Sequence, residues 1–500
     1  MNSTKRQSER LFLHPGEWLS WLLVSLLVAA TASLPFFWDT LQLASRHAHF
    51  FYDHSFSSLF LPTDMDSGHI PAFGMFLALV WKAVGRSLAA SHLAMLPFIL
   101  GALFFTRRIA GILFPRRHRW LATLVIIADA TLLAQFTLVS PDIWIACFFT
   151  MALFAFLKGK RGLMTLAFIG LALTSVRGMM IVASFFVTGA LLLIFTRKEE
   201  PRVSLRKKGI RYLLESLPVY LPAALLAMGY LGLHLIRTGW IGYHPDMPWA
   251  DHFARVGFRG FLRNILIFGW RMADHGRLFL WIAGVATALY AFRKKLPTTA
   301  TGRTMMLLTL VLTVVFSYSA LTYRNLAGHR YLLPLFLMVS MTVIYHLFLY
   351  VRREKTVILL MLLLLAGELS GNFWVYPDSI AKGWDASLAY LPYQTVRCQM
   401  NCFLNGEGIA PEEVGTSFPN NIAFRFIDLT DDTRSYGTAG EREFRYLLWS
   451  NVFNDFPEEL KEEMDRDGKV VREIRRLQVR MVLYENPGFG SSGENRKSAP

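Results

Sequence analysis

The sequence predicts a mostly α, polytopic helical membrane protein of about eleven transmembrane helices, followed by a C-terminal extracytoplasmic domain of α/β type. Three observations predict it. Of 500 residues, 53% are hydrophobic and only 18% are charged, against about 25% charged in soluble globular chains. The apolar residues fall into repeated runs of near-span length as far as residue 373. The acidic residues gather behind those runs, with 21 of the 36 lying from Glu368 onward, and a tail of that length and mixed charge can bury a core of its own. An ordinary soluble enzyme is excluded.

Each element follows from apolar length and from the side on which Lys and Arg collect. With Lys5, Arg6 and Arg10 cytoplasmic, the first span covers about 18–37 and delivers Asp39 to the outer face. Residues 38–89 form the first outer loop, in which the amphipathic stretch 71–85 ends in Lys82 and Arg86 and reads as a surface helix. The second span, 90–106, runs into the cluster Arg107, Arg108, Arg116, Arg117 and Arg119. Spans follow at about 121–139, 143–157, 162–176 and 179–196, the last reaching the basic stretch 197–211. Spans near 212–234, 278–292, 304–321, 331–350 and 356–373 complete the set. The N-terminus is then cytoplasmic, 1–373 is the membrane domain, 374–485 an extracytoplasmic soluble domain and 486–500 a disordered tail. The expected location is the cell (inner) membrane. The first apolar run has span length and lacks a small-residue cleavage site, so it reads as a span and not a signal peptide.

The formal net charge of +16 fits this topology. Residues from Glu368 onward carry net −6, leaving +22 on the membrane part. Most of that excess lies in cytoplasmic loops, where it needs no nucleic-acid partner. Three cysteines exclude a disulfide scaffold. Cys147 reads as packing in an apolar run, whereas Cys398 and Cys402 could pair in an oxidising compartment.

The acidic residues of the membrane part fall mainly on the outer face: Asp39, Asp53, Asp64, Asp66, Asp142, Asp246, Asp251 and Asp274, with Asp129 the exception. Carboxylates gathered at one membrane level suggest a polar site. Asp39 and Asp142 sit directly at span ends, although Asp142, after Ser140-Pro141, also suits helix capping. Between them, Thr63-Asp64-Met65-Asp66-Ser67-Gly68-His69-Ile70-Pro71 packs two carboxylates, an imidazole and turn residues into an acid/base or metal-ligand cluster. Asp66, His69 and Asp142 could hold a divalent metal, with no other cofactor indicated. Arginines also lie outside, against the topological bias, and Arg177 and Arg330 each abut a span. Arginine suits the clamping of a phosphate. Carboxylates at one end of a pocket and guanidinium groups at the other suit moving a sugar from a phosphate carrier.

On these residues the chain resembles the integral-membrane glycosyltransferases of the GT-C fold, in the family that includes protein O-mannosyltransferases and the lipid A aminoarabinose transferases. The resemblance spans roughly 18–350. Asp39 looks like the family's first-loop aspartate, although Thr40 follows where an Asp-Glu pair is common. The segment Asp66 to Pro71 is similar to the basic-Pro-Pro motif, with Ile70 replacing the first proline. Asp142 resembles the second-loop aspartate, Val176-Arg177-Gly178 stands where Lys-Gly is frequent, and His329-Arg330-Tyr331-Leu332-Leu333-Pro334 looks like the Arg-Tyr-x-x-Pro segment.

The resemblance implies inverting transfer from a polyprenyl-phosphate sugar donor to a glycan, lipid or protein acceptor within the membrane lipids. Asp39, Asp66 and Asp142 are the catalytic candidates, and Arg177, Arg330 and His69 the donor-phosphate ligands. Either Asp39 or Asp66 can be the base. Transport or flipping of a lipid-linked intermediate is the alternative, but ionisable groups in transporters gather near the midplane instead of one face. A third reading is a membrane-anchored binding protein whose outer domain does the work.

Overall fold

In a computed structural model the described residues are 15–195, 205–325, 328–374, 376–377, 380, 383–453, 455–486 and 489. Lys5, Arg6 and Arg10, residues 197–204 of the basic stretch, and 487–488 and 490–500 of the expected tail lie outside them.

Each expected span coincides with a helix or, for the third, with a broken pair. A helix satisfies every backbone group within its own segment, which is what an apolar run in lipid requires. Among the described residues seven helices are long and apolar enough to cross a membrane, or eight if one bent pair counts as a span. The helices Trp18–Thr31, Ala72–Val84 and Arg161–Thr174 are apolar but shorter. The expected span 121–139 is not continuous: Arg116–Ile127 and Ala130–Phe136 meet at 76°. Asp129 causes the break, because its carboxylate caps the second piece by accepting from Leu132 N at 3.0 Å and pairs with Arg277 at 2.7 Å. A buried carboxylate needs such partners, and a straight span does not provide them.

The C-terminal part folds around a five-stranded sheet of order β2-β1-β3-β5-β4, with β1 Val414–Thr416, β2 Gly437–Thr438, β3 Tyr446–Ser450, β4 Lys469–Arg476 and β5 Val479–Glu485. The strands β3 and β5 are buried almost throughout, the helix Leu391–Gly406 packs on β5 and β4, and β4 is an edge strand with mostly exposed side chains. That helix carries Cys398 and Cys402, exposed and unbonded. Side chains one turn apart sit about 5–6 Å apart at Cβ, too far for the roughly 3.8 Å of a disulfide, so the two do not pair.

The core of the sheet is continuous with the membrane part. Phe37, Trp38 and Leu138 pack into it, and Phe37 stacks on Tyr390 with ring centroids 4.7 Å apart. Gln135 donates to the Asp385 carbonyl at 2.8 Å and Thr131 to that of Ala386 at 3.2 Å. The segment 383–390 is therefore pinned onto the helix ends that carry the site.

Candidate active site

Asp39 is presented by unusual backbone. Trp38, directly before it, holds a φ of 57°, a region costly for a bulky residue and found where the surroundings enforce it. Thr40 closes the turn, its hydroxyl accepting from Phe37 N at 3.1 Å and donating to Phe37 O at 2.7 Å. A π-helix, Leu41–Arg46, follows, a distortion frequent at functional sites. Thr40 thus fixes the backbone that presents Asp39.

Asp142 sits in the first turn of the helix Pro141–Lys158. Capping is not its role: Ser140 Oγ accepts from Asp142 N at 3.1 Å, which leaves the carboxylate for arginines. Arg177 Nη1 reaches one oxygen at 2.6 Å and Arg330 Nη1 the other at 2.8 Å. Arg177 opens the helix Val176–Phe195, pressed against its neighbour because a Cβ on Gly178 would meet Leu171 O at 1.8 Å. Arg330 lies in the 3-10 turn His329–Leu332 that feeds the helix begun by Leu333-Pro334.

Arg330 is the hub. Its Nη2 pairs with Asp39, its Nη1 with Asp142 and its Nε with Asp385 at 2.8 Å. Tyr331 lies between two guanidinium groups, with Arg177 4.5 Å and Arg330 4.7 Å from its ring centroid. Three carboxylates around Arg330, with Arg177 beside them, leave a nearly balanced cluster, as burial demands. Exposure separates the members: Asp39 and Arg177 keep 14% and 17% of their side chains accessible, Asp142 only 1%.

Those two exposed groups face one cavity of about 290 Å³, otherwise lined chiefly by apolar and aromatic residues that include Leu43, Met180, Phe316 and Tyr331. His69 also lines it, with a buried Nδ1 lacking a partner. Burial, with the neighbouring Arg177 guanidinium, lowers His69 to about 4, so it meets the cavity as a neutral imidazole. Asp66 does not line it. Its carboxylate accepts from Gly68 N at 2.8 Å and lies 2.8 Å from His234 Nε2, tying the first loop to the helix Leu205–Thr238. Burial raises the Asp66 pKa.

The chain is similar to ArnT from Cupriavidus metallidurans. Two crystal structures of that protein align with it, one bound to undecaprenyl phosphate and one in the apo state, at TM-scores of 0.47 and 0.48 and identities of 11% and 12%. The alignments cover 94% and 93% of this chain and 98% and 97% of the other. No protein-family model and no curated protein sequence matches.

The structure thus brings together Asp39, Asp142, Arg177 and Arg330, puts His69 on the same cavity, and leaves Asp66 apart. Asp66, His69 and Asp142 do not converge as metal ligands, since each carboxylate is engaged elsewhere. Among the described residues the side chains that do converge are Asp274, His275 and His329. The hydrogen bonding of Asp274 and His329 is already divided, while His275 Nε2 is buried without a partner. Arg271 Nη1 lies 3.2 Å from His329 Nδ1 and can only donate, so Nδ1 accepts and Nε2–H donates to Asp274 at 2.7 Å. Tyr376 donates to the other Asp274 oxygen. Burial alone would raise Asp274, but the bonds from His329 and Tyr376 hold it below the ordinary carboxylate range. This cluster orients the turn before Arg330 and leaves His329 no free lone pair for a metal. Asp385 and the His329 support were not singled out from sequence: Asp385 stands in a tail without motif, and only the adjacency of His329 to Arg330 pointed to the second.

Proposed function

We propose that the chain is a membrane glycosyltransferase of the GT-C type that moves a sugar from a polyprenyl-phosphate donor to a glycan, lipid or protein acceptor at the extracytoplasmic face. The N-terminus is cytoplasmic, residues 1–373 form the transferase unit, and 374–485 form an extracytoplasmic unit docked on it. The observation that carries this reading is that Asp39 and Arg177 face one apolar cavity while Asp142 and Arg330 hold them in register. An apolar cavity with a cation and a carboxylate at one end suits a prenyl chain, a phosphate and a reacting hydroxyl.

Asp39 accepts the proton of the acceptor hydroxyl as its oxygen attacks the anomeric carbon. The bond from that carbon to the phosphate oxygen breaks, and the phosphate leaves with the electron pair. One displacement inverts the configuration. Arg177 stabilises the charge developing on the phosphate, and preorganised charge of this kind is worth several kcal/mol, about 2.7–4 for one oxyanion donor. Neutral His69 hydrogen-bonds the donor. Arg330, fully engaged by carboxylates, positions Asp39 and Asp142 instead of gripping phosphate. Asp39 is favoured over Asp66 as base because Asp66 is enclosed and bonded to His234.

The test uses the full chain in proteoliposomes with polyprenyl-phosphate-linked sugars, following free polyprenyl phosphate by mass spectrometry. Release that depends on added acceptor and is lost in Asp39→Asn is expected. Undiminished release in that variant rejects Asp39 as the base.

A further inference from the structure

A second, larger cavity of about 1020 Å³ lies away from the donor cavity, between the end of the last membrane helix and the C-terminal sheet. Its membrane-side wall is apolar, formed by Leu369 and Phe373 with Leu388 and Leu391. Phe373, where that span ends, is 74% exposed. The opposite rim is the β4–β5 hairpin, with Arg475 and Arg476 at the end of β4 and Arg480 at the start of β5. Arg480 pairs with Glu473 at 2.7 Å. Arg475 and Arg476 have no carboxylate partner among the described residues, and none of the described residues lining the cavity is acidic. At the tip of the turn Leu477 is 75% exposed.

The two cavities share no lining residue. Trp384 lines the larger one, while the next residue, Asp385, turns the other way to Arg330. Trp384 Nε1 donates to Asn451 O at 3.2 Å and Gln478 Nε2 to Ala389 O at 3.3 Å, which fastens this wall to the sheet. Asp39 is not among the residues that line the larger cavity.

We propose that this cavity binds a lipid with a phosphate-bearing, net-anionic head group, its chains along Leu369 and Phe373 and its phosphate against Arg475 and Arg476. The assignment does not rest on the transfer reaction. Unpaired arginines on the rim supply the complement for an anion, and exposed apolar residues at a span end supply the complement for its chains. A soluble anion would leave that apolar wall unused, and an uncharged lipid would leave the arginines unused.

The experiment is photolabelling of the full chain in nanodiscs with phosphatidylglycerol or phosphatidylcholine carrying a diazirine in one acyl chain, read by peptide mass spectrometry. Phosphatidylglycerol is expected to label 369–395 in preference to phosphatidylcholine. Arg475→Gln and Arg476→Gln each reduce that preference about fivefold, and the corresponding Lys variants retain most of it. Thr395→Trp, which fills the cavity without changing charge, lowers labelling by both lipids. Equal labelling by the two lipids, no response to the Gln variants, or complete competition by soluble glycerol phosphate would each overturn the proposal.

Discussion

Asp385 Oδ2 stands 2.8 Å from Nε of Arg330, so the C-terminal segment supplies the third carboxylate of the ion cluster that holds Asp39 and Asp142. Without it the Nε–H of Arg330 would be buried and unpaired, and leaving one partner of such a pair costs about 3–5 kcal/mol. The sheet domain is thereby part of the site's support.

This contact carries a pH dependence. Burial, together with the nearby carboxylates Asp39 and Asp142, pushes Asp385 up to about 7 against the pull of Arg330. An unfolded aspartate titrates near ~3.9, so the folded state binds the proton more tightly. The stabilisation is complete below ~4 and is lost as pH rises through about 7. Asp385→Asn is neutral throughout, so its Tm relative to the parent should rise between about pH 4 and 7 and level off above that. A Tm difference that does not change with pH would falsify the raised carboxyl.

Asp39→Asn removes the proposed base and leaves Arg330 its contacts with Asp142 and Asp385. Transfer should fall about 10²–10⁴-fold, the range for a lost general base, with Tm little changed. An equal loss of fold and activity would mean that Asp39 serves the cluster and not the acceptor.

Arg177 both bonds Asp142 at 2.6 Å and lies over Tyr331. Lysine cannot donate along two directions from a planar fork. In Arg177→Lys the donor KM should rise at least about tenfold, as for one lost charged hydrogen bond, and Arg177→Ala should lose kcat as well. Initial-rate kinetics over a range of donor concentrations separate the two, and an unchanged donor KM in both variants would remove Arg177 from the phosphate site.

Much of this was legible in the chain, because span length and the sidedness of charge are local properties. Asp39, Asp142, Arg177 and Arg330 each abut an apolar run, and the structure gathers all four. The role of Asp66 was not legible: its spacing suggested chemistry, but its partner His234 lies far along the chain. Asp385 was hidden for the same reason, since nothing local distinguishes an aspartate that docks on a distant arginine from one that faces water. The broken span is intermediate. Asp129 stood out only as the exception among the acidic residues, 121–139 was expected as one span, and only Arg277 shows that the break serves an ion pair.

That pair gives the last prediction. Asp129 and Arg277 form a two-bond contact at 2.7 and 3.0 Å, almost wholly enclosed, with Arg277 over the Phe336 ring. Glu368 lies within electrostatic reach of both, and its two carboxylate oxygens are buried without a hydrogen-bond partner. Asparagine at 129 keeps the helix cap, because its carbonyl can still accept from Leu132 N, but it removes the charge. Once the Asp129 charge is gone, Glu368 can ionise beside Arg277 and supply a counter-charge, so Asp129→Asn alone should cost less than the about 3–5 kcal/mol of an orphaned buried charge. Adding Glu368→Gln removes that reserve and should bring the full loss. A double-mutant cycle on unfolding in detergent measures it: the double variant should be less stable than the two single losses added together. Additive losses would show that Glu368 does not share Arg277.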